Sequence, residues 1–526
     1  MARLHEYQGK ELLKQCKIAV PKGGVARTPE EARRIAEEIG GETMVKAQAW
    51  VTGRAGLGGI IKAGDPAQAE EAARHMLGLK IKNFTVEQVL VEQRIEIARE
   101  FYAGVIIDDA AQQPVIIFSS VGGTGIEEIA VAHPDKVAKM HVDVGTGLLD
   151  FQARNLVRQT GITGQLQVDL ATVLVGLYQV AQQYDARAAE INPLVQLTDG
   201  TLMAADCRVT VDDYGIFRHK DLGIEIAREY DRPPTALEKI AYKVEEKDYR
   251  GTFYFIQMAE GFQRGEGYVG FHGAGGGGSM MSMDAIMRQG YKLATYVDTS
   301  GNPPASKVYR AARIVMSSGP IDGYFGSGSG VASQEQFHSA RGFAKAFLEA
   351  QIDVPVVIRL GGNAEDRAVA ILEWLNGHIP ARIEGYKKDN PPDYCAARLH
   401  ALIAEGHRIE PQARPEPVRA GAARDMRHTA PRPYTFNTVT GGTVTYDHSV
   451  CVNCESKVCV KECAGKILAL NDEGAPVLNI TPEEAKRGRC SECLACEVDC
   501  FFHGAGGGKI VLPIPGLDEY LKEVGR

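Results

Sequence analysis

The stretch GYVGFHGAGGGGSMMSMD, residues 267–284, joins a short apolar run to a glycine turn and then to apolar residues at helical spacing. Strand, turn and helix in that order aim unpaired backbone N–H groups and the positive end of a helix at an anion. Outward from it, over residues 251–404, the runs LATYV, DGYFG, VPVVIRL and ARIEGY alternate with helical stretches such as SKVYRAARIVMSSG and AEDRAVAILEWLNG. Such alternation predicts a parallel sheet with helices on both faces. A second glycine turn, GYFGSGSGVASQEQ, predicts a helix from about Ala332, and RLGGN at 359–363 is a third. The heptapeptide FHGAGGG occurs twice, at 271–277 and 502–508. The second copy follows a cysteine cluster and leads into KIVLPIP, so its context predicts a different job.

Residues 1–235 mix helices and strands. Thr28 and Glu31 form a capping box for a helix that stops at the glycine pair 40–41. ETMVKAQAW, FTVEQVLVEQ, EFYAGVIIDD and PVIIFSSV read as strands. The net charge of −8 gives nucleic-acid binding no electrostatic support. With no apolar leader and no long uncharged apolar run, the expected protein is cytoplasmic and not membrane-inserted.

Eight of the eleven cysteines lie between Cys451 and Cys500. Cys451, Cys454, Cys459 and Cys463 have the spacing C-x2-C-x4-C-x3-C, and Cys490, Cys493, Cys496 and Cys500 have C-x2-C-x2-C-x3-C. Eight thiolates can build two zinc sites. The second run resembles that of bacterial two-cluster ferredoxins, where the fourth cysteine crosses to the other cluster. That resemblance implies one [4Fe-4S] cluster on Cys451, Cys454, Cys459 and Cys500 and another on Cys490, Cys493, Cys496 and Cys463. The second heptapeptide would then be a loop packed beside a cluster.

The motifs RLHEYQGKELL, VKAQAWVTGRAGLGG, LVEQRIEIAREFYAG, EINPL and GAGGGGSMMSMD come in the order found in the β subunit of succinyl-CoA synthetase, and the first 405 residues resemble that family. They also resemble ATP-citrate lyase and citryl-CoA synthetase. The resemblance implies an ATP-grasp domain (residues 1–235), a flavodoxin-like CoA-ligase domain (236–405), a proline-rich linker (406–435) and a small α+β ferredoxin-like domain (436–526). It implies that Lys46 meets the phosphates of ATP or GTP, with Gly53, Arg54 and Ala55 in the loop above them. Glu92 falls at the hinge near the nucleotide's base and ribose, Glu100 deeper toward the nucleotide with Ile95 also binding it, Asn192 and Asp206 on magnesium, and Glu190 where a phosphorylated histidine docks. His272 and Gly273 approach the carboxylic acid, and Gly330, Val331 and Ala332 stabilise the phosphate on that histidine.

The same resemblance implies an acid–CoA ligase with Lys46 and Glu190 as its catalytic residues. An α-type partner subunit would supply the histidine and most of the CoA site. A ferredoxin module further implies a redox partner protein. The alternative is an electron-transfer or docking subunit with a degenerate ligase body.

Overall fold

The computed structural model describes every residue except 52, 123–129, 225, 227, 229–231, 249–250, 329, 407–408 and 413–432. The chain gathers into two compact units, Met1–Pro234 and Thr235–Arg526.

The first unit holds two antiparallel sheets. The smaller runs Gly23–Ala26, Val89–Gln93, Thr43–Ala47, Ile60–Ala63. Its helices, Pro29–Ile39 and Pro66–Met76, both begin with proline after a capping residue, Thr28 and Asp65. Glu31 reaches past the expected Thr28 N–H to accept from Arg27 at 2.7 Å, and Gly40 ends the helix in the left-handed region. The larger sheet has Ile97–Asp108 and Ala186–Leu197 at its centre, flanked by Gln113–Ser119 and Cys207–Val211. Alternate residues of the central strands, such as Phe101, Ala103, Ala189 and Ile191, enter a core closed by helices Asp150–Gln159 and Gln165–Gln183.

The second unit is built on a six-stranded sheet. Five strands are parallel in the order Lys292–Asp298, Tyr268–Ala274, Gly323–Gly328, Val356–Arg359, Ile383–Tyr386, with Tyr254–Gln257 antiparallel at one edge. In chain order the parallel strands read 2-1-3-4-5, the flavodoxin-like arrangement. The sequence underestimates the first strand, which continues through His272 and Gly273 to Ala274, leaving Gly275 alone to turn into helix Gly276–Arg288. The helix expected from Ala332 begins at Phe337. Residues before it are diverted: Ala332 bridges to Gly362, Gln334 N donates to Asn302 Oδ1, and Gln336 N donates to the Asn363 carbonyl.

Helix Pro392–Glu405 stops at Gly406, whose φ of 65° suits glycine. Most of the linker expected at 406–435 lies outside the described residues. The chain then forms an antiparallel sheet of Tyr434–Asn437, Thr443–Tyr446 and Gly508–Val511, a hairpin of Leu468–Leu470 with Pro476–Leu478, and short helices that carry cysteines. This segment packs on the flavodoxin-like body. Arg341, fully buried on helix Phe337–Ala350, donates from Nε to Asp499 Oδ1 at 3.0 Å and pairs with its other oxygen through Nη2. Lys345 reaches Glu497 at 2.7 Å, Arg367 reaches Glu462 at 2.6 Å, and Arg310 lies 3.8 Å from Glu492. Each of those four acids is the immediate sequence neighbour of a cysteine: Cys500, Cys496, Cys463 and Cys493.

Candidate functional site

In the first unit helix Glu6–Gln15 presents Glu6 and Lys10 one turn apart, and both are buried. Lys46, on strand Thr43–Ala47, donates to Glu6 Oε1 at 3.0 Å, to the Ala205 carbonyl at 2.8 Å, and pairs with Glu92. Lys10 reaches Glu6 at 2.8 Å, Glu92 at 2.5 Å and the same Ala205 carbonyl at 2.9 Å. Arg54 follows Gly53, whose φ is 70°, and its Nη2 lies 2.6 Å from Glu6 Oε2 and 3.1 Å from Asp206 Oδ2. Three cations thus face three carboxylates. Only Asp206 reaches solvent appreciably, with a third of its side chain exposed.

That balance fixes the charge states. Burial alone would raise the Glu6 carboxyl, but Lys46, Lys10 and Arg54 overrule it and hold it well below the usual range. For Lys46 burial works against the ammonium, and Glu6, Glu92 and Asp206 keep it charged. Asp206 goes the other way: its recessed position, then the negative Glu6, push it up to about 6 against the pull of Arg54 and Lys46.

Asp206 opens onto a cleft of about 600 Å³ also lined by Gly53, Arg54, Ala55, Glu190 and Asn192. This is ample for a small-molecule site. Asn192 N donates to the Asp206 carbonyl at 3.2 Å, which sets the two expected metal ligands side by side. Glu190 accepts from Tyr102 Oη at 3.1 Å, with Arg208 at 3.9 Å. Lys46 lies behind this wall. Of the residues expected at the nucleotide, Glu92 is buried between the two lysines, while Ile95 is half-buried in a loop and Glu100 exposed on strand Ile97–Asp108. The sequence reading missed Glu6, Lys10, His5, Trp50 and Arg208, all but Lys10 also lining the cleft. The Glu6/Lys10 spacing around Gly9 was the available signal: a Cβ on Gly9 would lie 2.8 Å from Cys207 Sγ, so this helix face is pressed on the sheet.

In the second unit the glycine turns meet at the carboxyl ends of the two strands where the strand order reverses, and Ala274 pairs with Gly328. Gly275 N donates to Asp298 Oδ1 at 2.9 Å. Arg359 underlies the second turn, donating to the carbonyls of Gly328, Lys388 and Asn390. Gly330 has φ 80°, exposed Val331 follows it, and Ala332 is tied to Gly362. Gly273 cannot carry a side chain, because a Cβ there would lie 2.3 Å from Ser279 Oγ. His272, expected to approach the acid, points instead into the core: its Nδ1 is 2.8 Å from Tyr324 Oη, its ring meets Phe343, and burial lowers its pKa to about 3. Period-2 alternation, extended through His272 by the longer strand, puts it on that inner face.

The cysteines sort into two neighbourhoods. Burial, then Cys500, Cys459 and Cys454, push up the Cys451 thiol, and Cys459 likewise faces Cys500 and Cys454. Cys490 faces Cys493 and Cys463, and Cys496 faces Cys493 and Cys490 before Cys459. Among the described residues no three Cys, His, Asp or Glu side chains gather closely enough for a single metal ion, and the cysteines form no disulfide. The second heptapeptide wraps this region. A Cβ on Gly507 would lie 2.6 Å from Cys451 Sγ, one on Gly504 3.2 Å from Cys500 Sγ, and one on Gly508 2.0 Å from the Cys496 carbonyl.

An ATP-grasp family model matches residues 3–196. Over 386 residues the chain is 39% identical to the β subunit of a GDP-forming succinate–CoA ligase from Thermus thermophilus, covering 73% of this chain and 97% of the relative. It is 37% identical to an ADP-forming β subunit from Archaeoglobus fulgidus, with 73% and 96% covered. An ATP citrate lyase from Methanothrix soehngenii, solved with citrate and coenzyme A, shares the fold with a TM-score of 0.63 at 19% identity, covering 77% of this chain and 99% of that one. On that likeness the chain belongs to the succinate–CoA ligase β-subunit family.

Proposed function

We propose that the chain is the nucleotide-binding subunit of an NDP-forming acid–CoA ligase, completed by an α-type partner, with two [4Fe-4S] clusters in its C-terminal module. The observation that carries the ligase reading is the charge-balanced cluster of Lys10, Lys46, Arg54, Glu6, Glu92 and Asp206, which meets a cleft at Glu6, Arg54 and Asp206. Such a cluster has no spare positive charge for a bare polyphosphate, so the nucleotide enters with magnesium. Asn192 and Asp206 supply the oxygen donors that this ion prefers, and when bound it neutralises charge on the transferring phosphoryl group. Arg54 leaves Asp206 and turns to phosphate, for which its fork is suited. Lys46, behind the cleft wall, stays charged and holds Glu6 and Glu92 in place. Glu190, oriented by Tyr102, faces the incoming histidine of the partner and keeps its proton in register.

The second unit's paired glycine turns present backbone N–H groups to the acid and to the phosphate in transit. A small carboxylic acid is activated by phosphoryl transfer and released as its CoA thioester, so one hard acylation becomes two easier steps. Because His272 is buried, it shapes this turn through Tyr324 rather than by touching the acid.

The cysteine module supports two clusters on two counts. Cys451 and Cys459 each face Cys454 and Cys500, while Cys490 faces Cys463 and Cys493, and Cys496 faces Cys490 and Cys493. A Cβ on Gly507 would lie 2.6 Å from Cys451 Sγ, so only bare backbone fits against that sulfur. The clusters exchange electrons with a partner protein that uses the thioester, since a thioester is far easier to reduce than an acid. The test is anaerobic purification, incubation with γ-labelled ATP, and a search for base-stable label on a co-purifying chain. Label that CoA and one acid discharge supports the ligase; no label with the partner present, together with loss of nucleotide binding, favours an electron-transfer subunit with an idle ligase body.

A further inference from the structure

On the seam between the flavodoxin-like body and the C-terminal segment lies a recess of about 30 Å³. Helices Ala236–Glu245 and Ala305–Met316 bound it on one side, and Thr440, Pro513 and Pro515 on the other. Four cations line it, the buried Lys307 and Arg310 and the exposed Lys243 and Lys247. The buried two are balanced. Lys307 is paired with Asp248, and Arg310 lies 3.8 Å from Glu492 while donating to the Pro513 carbonyl at 3.0 Å and to Thr440 Oγ1 at 2.7 Å. Among the described residues Lys243 and Lys247 have no ion-pair partner, so their two positive charges stand uncancelled at the recess. Ser306, in the first turn of helix Ala305–Met316, also lines it and is only 1% exposed. Its hydroxyl makes no hydrogen bond among the described residues. A buried hydroxyl left unpaired is costly, so an acceptor belongs beside it.

We propose that this recess binds a phosphate dianion, free or as the headgroup of a phosphate monoester, and that the bound group ties the C-terminal segment to the body. Two uncancelled lysines match the charge of a dianion, and the Ser306 hydroxyl donates to one of its oxygens, a charge-assisted bond stronger than a neutral one. Lysine meets phosphate as a point charge on a flexible stem, which lets Lys243 and Lys247 fold in over the anion from the exposed side. The volume admits a group of only a few heavy atoms, so anything esterified to the phosphate stays outside. Thr440 and the two prolines come from the C-terminal segment, so an anion held here touches both sides of the seam.

The experiment is a calorimetric titration of the full chain, purified anaerobically with its partner, in chloride buffer at constant ionic strength. Inorganic phosphate and glycerol 3-phosphate are the probes, each run on wild type, Ser306→Ala and Lys243→Gln/Lys247→Gln. The glycine turns of the second unit also take phosphate, so the reading is the difference between chains. Each variant should weaken one phosphate site about tenfold or more, the loss of one hydrogen bond to a charged group. Phosphate should also raise the Tm of wild type more than that of either variant. Glycerol 3-phosphate binding at least as tightly as phosphate identifies a monoester headgroup, and weaker binding identifies the free anion. Ser306→Ala changes no charge, so weakening in the lysine variant alone would reflect long-range attraction and overturn the proposal. Equal phosphate affinities in all three chains, or no binding by wild type, overturn it too. Should Ser306→Ala fail to fold, Ser306→Cys keeps the size of the side chain with a far weaker donor and is read in the same way.

Discussion

In the first copy of FHGAGGG, Phe271 to Ala274 finish a central parallel strand and Gly276 opens a long helix. In the second, Phe502 and His503 finish a short helix and Gly508 opens an edge strand. His272 is buried against Tyr324, whereas His503 is exposed beside Trp374. A Cβ on Gly277 meets nothing within 4 Å; on Gly508, its counterpart, it lies 2.0 Å from a backbone carbonyl. Positive φ falls on the middle glycine of each copy, Gly275 at 96° and Gly506 at 79°. Seven identical residues therefore encode one local preference, a left-handed turn, and the flanking residues decide the rest.

The largest expected effect comes from removing what holds the second copy from outside. Arg341→Met leaves Asp499 buried, with Arg367 3.6 Å away as its remaining cation, and should cost about 3 kcal/mol, toward the low end for a broken buried pair. Denaturant unfolding would measure it; a loss under 1 kcal/mol would mean the copy is held by its own loop. Next, Gly508→Ala should cost about 3 kcal/mol through forced displacement of the Cys496 backbone. The two changes act on one segment, so their costs should not add.

For the first copy, His272→Asn should cost about 1–3 kcal/mol at neutral pH, chiefly by leaving the Tyr324 hydroxyl short of a partner. His503→Asn should cost at most about 1 kcal/mol, an edge contact with Trp374. Burial lowers the His272 pKa from 6.5 to about 3, so between those values the unfolded chain binds the extra proton. Stability from the neutral ring is present above pH 6.5 and fades as pH falls toward 3. Thermal melts of His272→Asn should therefore lose less between pH 7 and pH 4 than wild type; equal losses would put the titration elsewhere. The smallest effect is Gly277→Ala, a gain of about 0.5–1 kcal/mol from a less flexible unfolded chain. A loss there would show that the turn needs the bare backbone for another reason.

Much of this architecture was legible because its signals are local. The β-then-α alternation from 267 to 404 predicts the parallel sheet, and Thr28 with Gly40 brackets a helix. Gly53, Arg54, Ala55, Glu190, Asn192 and Asp206 could be assigned to one site by motif, and they line one cleft. Glu6 and Lys10 could not, since their partners are 40, 82 and 195 residues away and only folding brings them together. The start of helix Phe337–Ala350 was missed because Ala332 to Gln336 have reasonable helix propensity, and distant groups on Asn302, Gly362 and Asn363 outcompete it.

The four acids that adjoin Cys463, Cys493, Cys496 and Cys500 take their cations from helices Ala305–Met316, Phe337–Ala350 and Glu365–Glu373. The C-terminal segment is thus no interchangeable cassette. Grafting residues 434–526 onto another ligase would carry over four carboxylates without their countercharges, two of them, Glu492 and Asp499, almost wholly buried. A working transplant has to take those three helix faces with it.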